Sequence, residues 1–66
     1  MTAQIDVAFE NHGAVWFVHP ITKPGVDWIE ENVHRPERLG NVVIVDHRYA
    51  QEMMEAMQID GLEIGR

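Results

Sequence analysis

The stretch Val42-Val43-Ile44-Val45-Asp46, continued by His47-Arg48-Tyr49-Ala50-Gln51-Glu52-Met53-Met54-Glu55-Ala56-Met57-Gln58-Ile59-Asp60-Gly61, decides the fold. Four consecutive β-branched residues are most simply a buried strand, apolar on both faces. The period then switches. Asp46 has the short acceptor side chain of a helix N-cap. From about His47 to Ile59, an inner stripe of Tyr49, Ala50, Met53, Ala56 and Met57 leaves Glu52, Glu55 and Gln58 facing water. Met53 and Met57, one turn apart, suit the core. Met54, rotated about 100° from Met53, stands where a flexible thioether could make adaptable surface contacts, but core packing is the stronger reading for the methionine cluster. Asp60-Gly61 stops the helix, and Leu62-Glu63-Ile64 forms a short edge strand.

Working outward to the N-terminal side, Ile5, Val7 and Phe9 alternate with Asp6 and Glu10, the period of a half-buried strand. Asn11-His12-Gly13 supplies the turn of a hairpin. Ala14 to Val18 is a central strand, apolar on both faces and halted by His19-Pro20. Thr22 is an N-cap, with Pro24 in the first turn of a helix whose inner face carries Val26, Trp28 or Ile29, and Val33. Asp27, Glu30 and Glu31 lie early in that helix or on its outer face. Pro36 and Gly40 make residues 34–41 a loop.

The expected order is ββαβαβ in a single domain over residues 1–66: an α+β (α/β) two-layer fold, with a mixed four-stranded sheet and both helices on one face. Two layers cover only one side of the sheet, yet both inner strands are apolar on both sides. Either the sheet curls strongly or its bare face meets something.

Composition sets the remaining bounds. The chain has 66 residues, 45% of them apolar, which suffices for a core but buries only about 60% of the unfolded surface. There is no cysteine, which excludes disulfides, thiolate metal sites and cysteine nucleophiles. The apolar runs are too short to cross a bilayer, and Met1 to Glu10 has two acids and no base, unlike a signal peptide. A soluble, cytoplasmic protein is expected. Its net charge of −6 is the wrong sign for direct binding to nucleic acid.

Catalytic and metal chemistry find little footing. The four histidines, His12, His19, His34 and His47, lack the spacing of a helical metal motif. His19 and His47 both fall near strand ends, which leaves a chance cluster open. Asp46, beside His47 at the end of a strand, sits where an α/β active site would place an acid, but it is equally the cap of the following helix. No second acid, nucleophile or glycine-rich phosphate loop completes a site. No enzyme, cofactor or metal is expected.

The charge pattern is the sharper signal. Residues 1–34 carry a net −4, residues 35–48 a net +1 from Arg35, Arg38 and Arg48, and residues 49–66 a net −3. Glu52 and Glu55 stand about one turn apart, roughly 5–6 Å, as do Asp27 and Glu30 or Glu31. That spacing is of the same order as phosphates along a nucleic-acid strand. Asp27, Glu30, Glu31, Glu52 and Glu55 are therefore the candidate partner-binding residues, an array for a cationic protein groove. The same carboxylates also serve an ordinary solvated surface.

Asn11-His12-Gly13, Trp16, Pro20, Trp28-Ile29-Glu30-Glu31, Gly40-Asn41, Arg48-Tyr49 and Asp60-Gly61-Leu62 together resemble a group of small acidic proteins of phages and mobile elements in proteobacteria. The likeness spans roughly residues 9–64. That group includes anti-CRISPR inhibitors, some of them DNA mimics, and those directed at type I systems are the nearest in kind. The resemblance implies a non-catalytic inhibitor whose partner is a nucleic-acid-binding Cas subunit or complex. A self-associating structural or regulatory module, a homodimer through the uncovered sheet face, is the alternative.

Overall fold

In a computed structural model describing residues 4–33 and 37–65, the chain forms β1 (Val7–His12), β2 (Val15–Pro20), α1 (Lys23–Asn32), β3 (Glu37–Leu39), β4 (Val42–Asp46), α2 (His47–Ile59) and β5 (Ile64–Gly65). The first hairpin is longer than its sequence suggests. His12 pairs with Val15, so the turn is Gly13-Ala14, and β2 runs on through His19 to Pro20 opposite Val7. Gly13 takes the left-handed φ of +83° that opens the turn, and its N–H donates to Asn11 Oδ1 at 2.7 Å.

The sheet has five strands in the order β3-β4-β2-β1-β5, not four. The added strand is β3, inside the segment expected to be a loop. Its three residues are all exposed, so no alternation betrays them. The hairpin turn at Gly40-Asn41, with Gly40 at φ +62°, brings β3 antiparallel against β4. The topology is therefore ββαββαβ rather than ββαβαβ. Because β4 lies antiparallel to both β2 and β3, the strand parallel to β2 is β3, with β4 inserted between them. In the same way β5 runs parallel to β4, beyond β2 and β1. The two strand–helix–strand crossovers exist, but each skips over intervening strands.

Directly paired residues share a sheet face. Val7, Phe9, Trp16, Val18, Val43, Val45 and Ile64 thus face one way, and both helices pack there. Val7, Val18 and Val43 are fully buried together with Ile29 of α1 and Met53 and Met57 of α2. Two inner-face expectations are corrected. On α1, Val26 is exposed and Gly25 is buried instead, because the helix rests its first turn on the backbone of Asp6 and Val7. On α2, Tyr49 stands 36% exposed instead of on the inner stripe, while Met54 packs in the core at 5% exposure, as the stronger reading of the methionine cluster has it. The stripe is rotated toward Met54 because α2 covers β4 and β2 as well as β5.

Both helix caps form as the sequence implies. Thr22 Oγ1 accepts from Gly25 N–H at 3.3 Å, and Asp46 Oδ1 accepts from Tyr49 N–H at 2.7 Å. Asp6 ties the N-terminal parts together. Its carbonyl accepts from Ile21 N–H at 2.8 Å, while its carboxylate accepts from Thr22 Oγ1 at 2.5 Å and Glu63 N–H at 2.9 Å. The Glu63 N–H and then the Thr22 hydroxyl hold this carboxyl below the usual aspartate range.

The opposite face carries Ala8, Glu10, His12, Val15, Phe17, His19, Val42, Ile44, Glu37 and Leu39, with no helix of the described residues over it. Val15 is 40% exposed and Leu39 is 62% exposed, while Phe17 and Ile44, paired across β2 and β4, are half-buried. His34, Arg35, Pro36 and Arg66 lie outside the described residues. Among the described residues no helix is long and apolar enough to cross a membrane.

Candidate functional site: an acidic helical layer

Each candidate carboxylate sits on α1 or α2, and helix geometry sets where it points. At 100° per residue, Glu52 and Glu55 lie about 60° apart on α2, centred opposite the buried arc of Ala50, Met53, Met54 and Met57. On α1 the buried residues are Gly25 and Ile29, with Val33 following the helix. Asp27 and Glu31 therefore project from its outer side and Glu30 from a flank. Glu30, Glu31, Glu52 and Glu55 are exposed and Asp27 half-exposed. Since both helices lie on one sheet face, their outer sides form one layer surface, which carries Asp27, Glu31, Glu52 and Glu55, with Glu30 at its edge on the flank of α1 away from α2.

Among the described residues, few bases lie near that surface. Lys23 Nζ pairs with Asp27 Oδ2 at 3.1 Å, one turn along α1, an exposed contact worth about 0.3–0.5 kcal/mol. Arg48 shares the outer stripe of α2, one turn before Glu52, yet no carboxylate of the described residues lies within ion-pairing distance of it. Arg38 is on β3, at the sheet edge. Of the five carboxylates, then, only Asp27 is neutralised by a neighbour among the described residues.

Two clefts flank α2. Between the helices, Trp28 and Asn32 of α1 and Tyr49, Glu52, Met53 and Ala56 of α2 line a cleft of about 210 Å³. On the other flank, Trp16 with Gln51, Met54, Glu55 and Gln58 lines one of about 320 Å³. The Trp28 indole is anchored across the helices, donating from Nε1 to Asp60 Oδ2 at 2.7 Å. Trp16 meets Phe9 edge-on, with ring centroids 6.4 Å apart. The sequence leaves the inner face of α1 to Trp28 or Ile29 and puts Tyr49 on an inner stripe; Ile29 is the buried one, with Trp28 half-buried against the core and Tyr49 exposed. Their position at the border of the buried arc, beside a glutamate, is the signal that marks them as cleft residues.

The helix-free face holds a second cluster. Glu10 is gripped by two histidines, with His19 Nε2 at 2.9 Å from Oε1 and His12 Nε2 at 3.0 Å from Oε2. These contacts, His19 before His12, pull the Glu10 carboxyl below the usual glutamate range. His12 also stacks on Phe17, with ring centroids 4.4 Å apart. The hairpin register brings the three together: Glu10 pairs with Phe17, His12 one pair above and His19 one pair below on the same face. The two imidazoles thus approach the carboxylate from opposite sides instead of converging on one point. Among the described residues no three ligating groups are placed to hold a metal ion. His19 and His47 do not meet, since His47 N–H bonds Ala14 at the opposite end of β2. Asp46 is occupied as the cap of α2.

Comparison of the chain with protein-family models, with curated proteins and with solved structures found no match.

Proposed function

We propose that this chain is a non-catalytic inhibitor that docks the acidic outer layer of its two helices onto a cationic cleft of a nucleic-acid-handling protein complex, a type I CRISPR surveillance complex in the first instance. The observation that carries this reading is the exposure of Glu30, Glu31, Glu52 and Glu55 on two helices of one layer, with no ion-pair partner among the described residues. A carboxylate array held on two helices docked to one sheet loses little entropy on binding and steers a positively charged partner. The resemblance to small acidic phage proteins supports the choice of target.

The test is charge reversal of Glu30, Glu31, Glu52 and Glu55 to lysine, read as affinity for the purified surveillance complex over a salt series. Loss of binding, together with loss of its salt dependence, is the expected result. Unchanged affinity at every salt concentration discards the mimicry.

A second reading is favoured by one observation, the apolar strip of Val15, Phe17, Ile44 and Leu39 on the helix-free face. In that reading the chain self-associates through the sheet. Sedimentation at rising concentration decides it: dimers abolished by Phe17→Glu support it, and a monomer throughout removes it.

A further inference from the structure

We infer that the cleft between α1 and α2 is a socket for one basic side chain, an arginine by preference, projecting from the partner's cationic surface. This deepens the acidic docking proposed above and rests on it.

Three features of the cleft select a cation. The first is aromatic. Trp28 and Tyr49 both line it, and the π-faces of such rings attract guanidinium and ammonium groups within about 6 Å. The second is the hydrogen-bonding inventory. Glu52 is acceptor-only and has no ion-pair partner among the described residues. The Asn32 amide donates one of its two Nδ2 hydrogens to the Trp28 carbonyl at 2.9 Å, and its Oδ1 is an acceptor. An arginine brings five donors and no acceptor, so the match is one-sided. The third is the floor, where Met53 is 2% exposed and Ala56 half-buried, apolar enough for an aliphatic stem to lie along.

The socket is built before the partner arrives. Asp60 fixes the Trp28 indole from the C-terminal end of α2, so little side-chain order is left to impose on binding. Trp, Tyr and Arg are the residue types enriched at interface hot spots, in pockets from which surrounding contacts exclude water. Asp27 and Glu31, on the outer side of α1, border the cleft, whereas Glu55 lines the one on the other flank of α2. An anionic ligand meets the opposite field, given the net charge of −6. The cleft on the other flank of α2 differs. It has one aromatic residue against two, and its two amides, Gln51 and Gln58, bring more donors than the single Asn32, so it favours a cation less. Trp16 there is an internal control.

The experiment is an NMR titration of the full chain with N-acetyl-arginine amide and with a hexa-arginine peptide, following the indole Nε1–H signals of Trp28 and Trp16 and the backbone amides of Tyr49 and Glu52. The expected result is a saturable shift at Trp28, Tyr49 and Glu52, with Trp16 still. Glu52→Gln and Tyr49→Ala, both at exposed positions, each weaken peptide binding by about fivefold, the effect of one exposed cation contact. A peptide that shifts residues all over the carboxylate layer but leaves Trp28 unmoved overturns the socket and spares the acidic surface. So does a shift confined to Trp16. Conversely, a clean Trp28 titration combined with charge-reversed protein that still binds the purified complex at full affinity overturns the docking proposal alone. No shift at any site overturns the socket outright.

Discussion

Gly25→Ala tests the packing of α1 against β1, because general helix preference and this particular fold predict opposite signs. In an ordinary helix the change stabilises by about 0.5–1 kcal/mol, since alanine loses less backbone entropy. Here the added Cβ collides with the carbonyl oxygen of Asp6, and it lies 2.9 Å from Val7 Cγ2 and 3.1 Å from the Asp6 carbonyl carbon. Neither neighbour can retreat. The Asp6 carbonyl is held by Ile21 N–H at 2.8 Å and Thr22 N–H at 3.3 Å, and Val7 is fully buried. Relief requires the first turn of α1 to lift off β1, weakening the Thr22 cap and the contact between Ile29 and the sheet. Overpacking of this kind costs about 1–3 kcal/mol, more than the preference gained. In a domain this small each kcal/mol moves Tm by roughly 4–8 °C. A fall of roughly 5–20 °C is therefore expected in thermal unfolding followed by far-ultraviolet circular dichroism. Gln51→Ala, exposed on α2, is the control and moves little. A Gly25→Ala protein as stable as the parent, or more stable, refutes the close approach of α1 to Asp6.

Other consequences follow from the same contacts. Met57→Ala empties a fully buried site and costs about 2–5 kcal/mol, comparable to the whole stability of such a chain, so urea titration will find it largely unfolded; a loss below 1 kcal/mol places Met57 outside the core. Asp46→Ala removes the α2 cap and costs about 1 kcal/mol, read as a shift in the urea midpoint with unchanged slope, whereas Asp46→Asn keeps the acceptor and most of the stability. Acid unfolding has a definite sign. Asp6 and Glu10 titrate lower folded than unfolded, so their stabilisation is complete above the unfolded carboxyl range, about pH 4, and is lost as pH falls through their lower folded values. Asp6→Asn and Glu10→Gln should each flatten the stability profile below pH 4, and profiles parallel to the parent's would show that these carboxylates are not held by their partners.

How much of this was legible beforehand depends on the range of the interaction. The β-branched run at Val42–Val45, the caps at Thr22 and Asp46 and the stop at Gly61 act over a few residues, and each lies where the pattern put it. Strand β3 was not legible. Glu37-Arg38-Leu39 has neither alternation nor burial, and it is a strand only because the Gly40-Asn41 turn lays it on β4. Val26 and Tyr49 turn outward, against expectation, because a helix's angle about its own axis is set by what it packs on, not by its own stripe. Of the candidate site, the carboxylates could be counted and assigned to outer faces. Their sharing of one layer surface required both helices to settle on the same side of the sheet.

The sequence by itself determined the composition of the surface, the positions of the helices and most of the strands, and the excess of negative charge, because these depend on residue type and on neighbours a turn or a pleat away. The tertiary structure alone decided that Trp28, Tyr49 and Glu52 line one cleft, and that His12 and His19 close on Glu10. It also left Phe17 and Ile44 together on a face without helices. Those groupings join residues distant along the chain, through hairpin register and helix docking, and only burial of the shared core selects which register and which docking prevail.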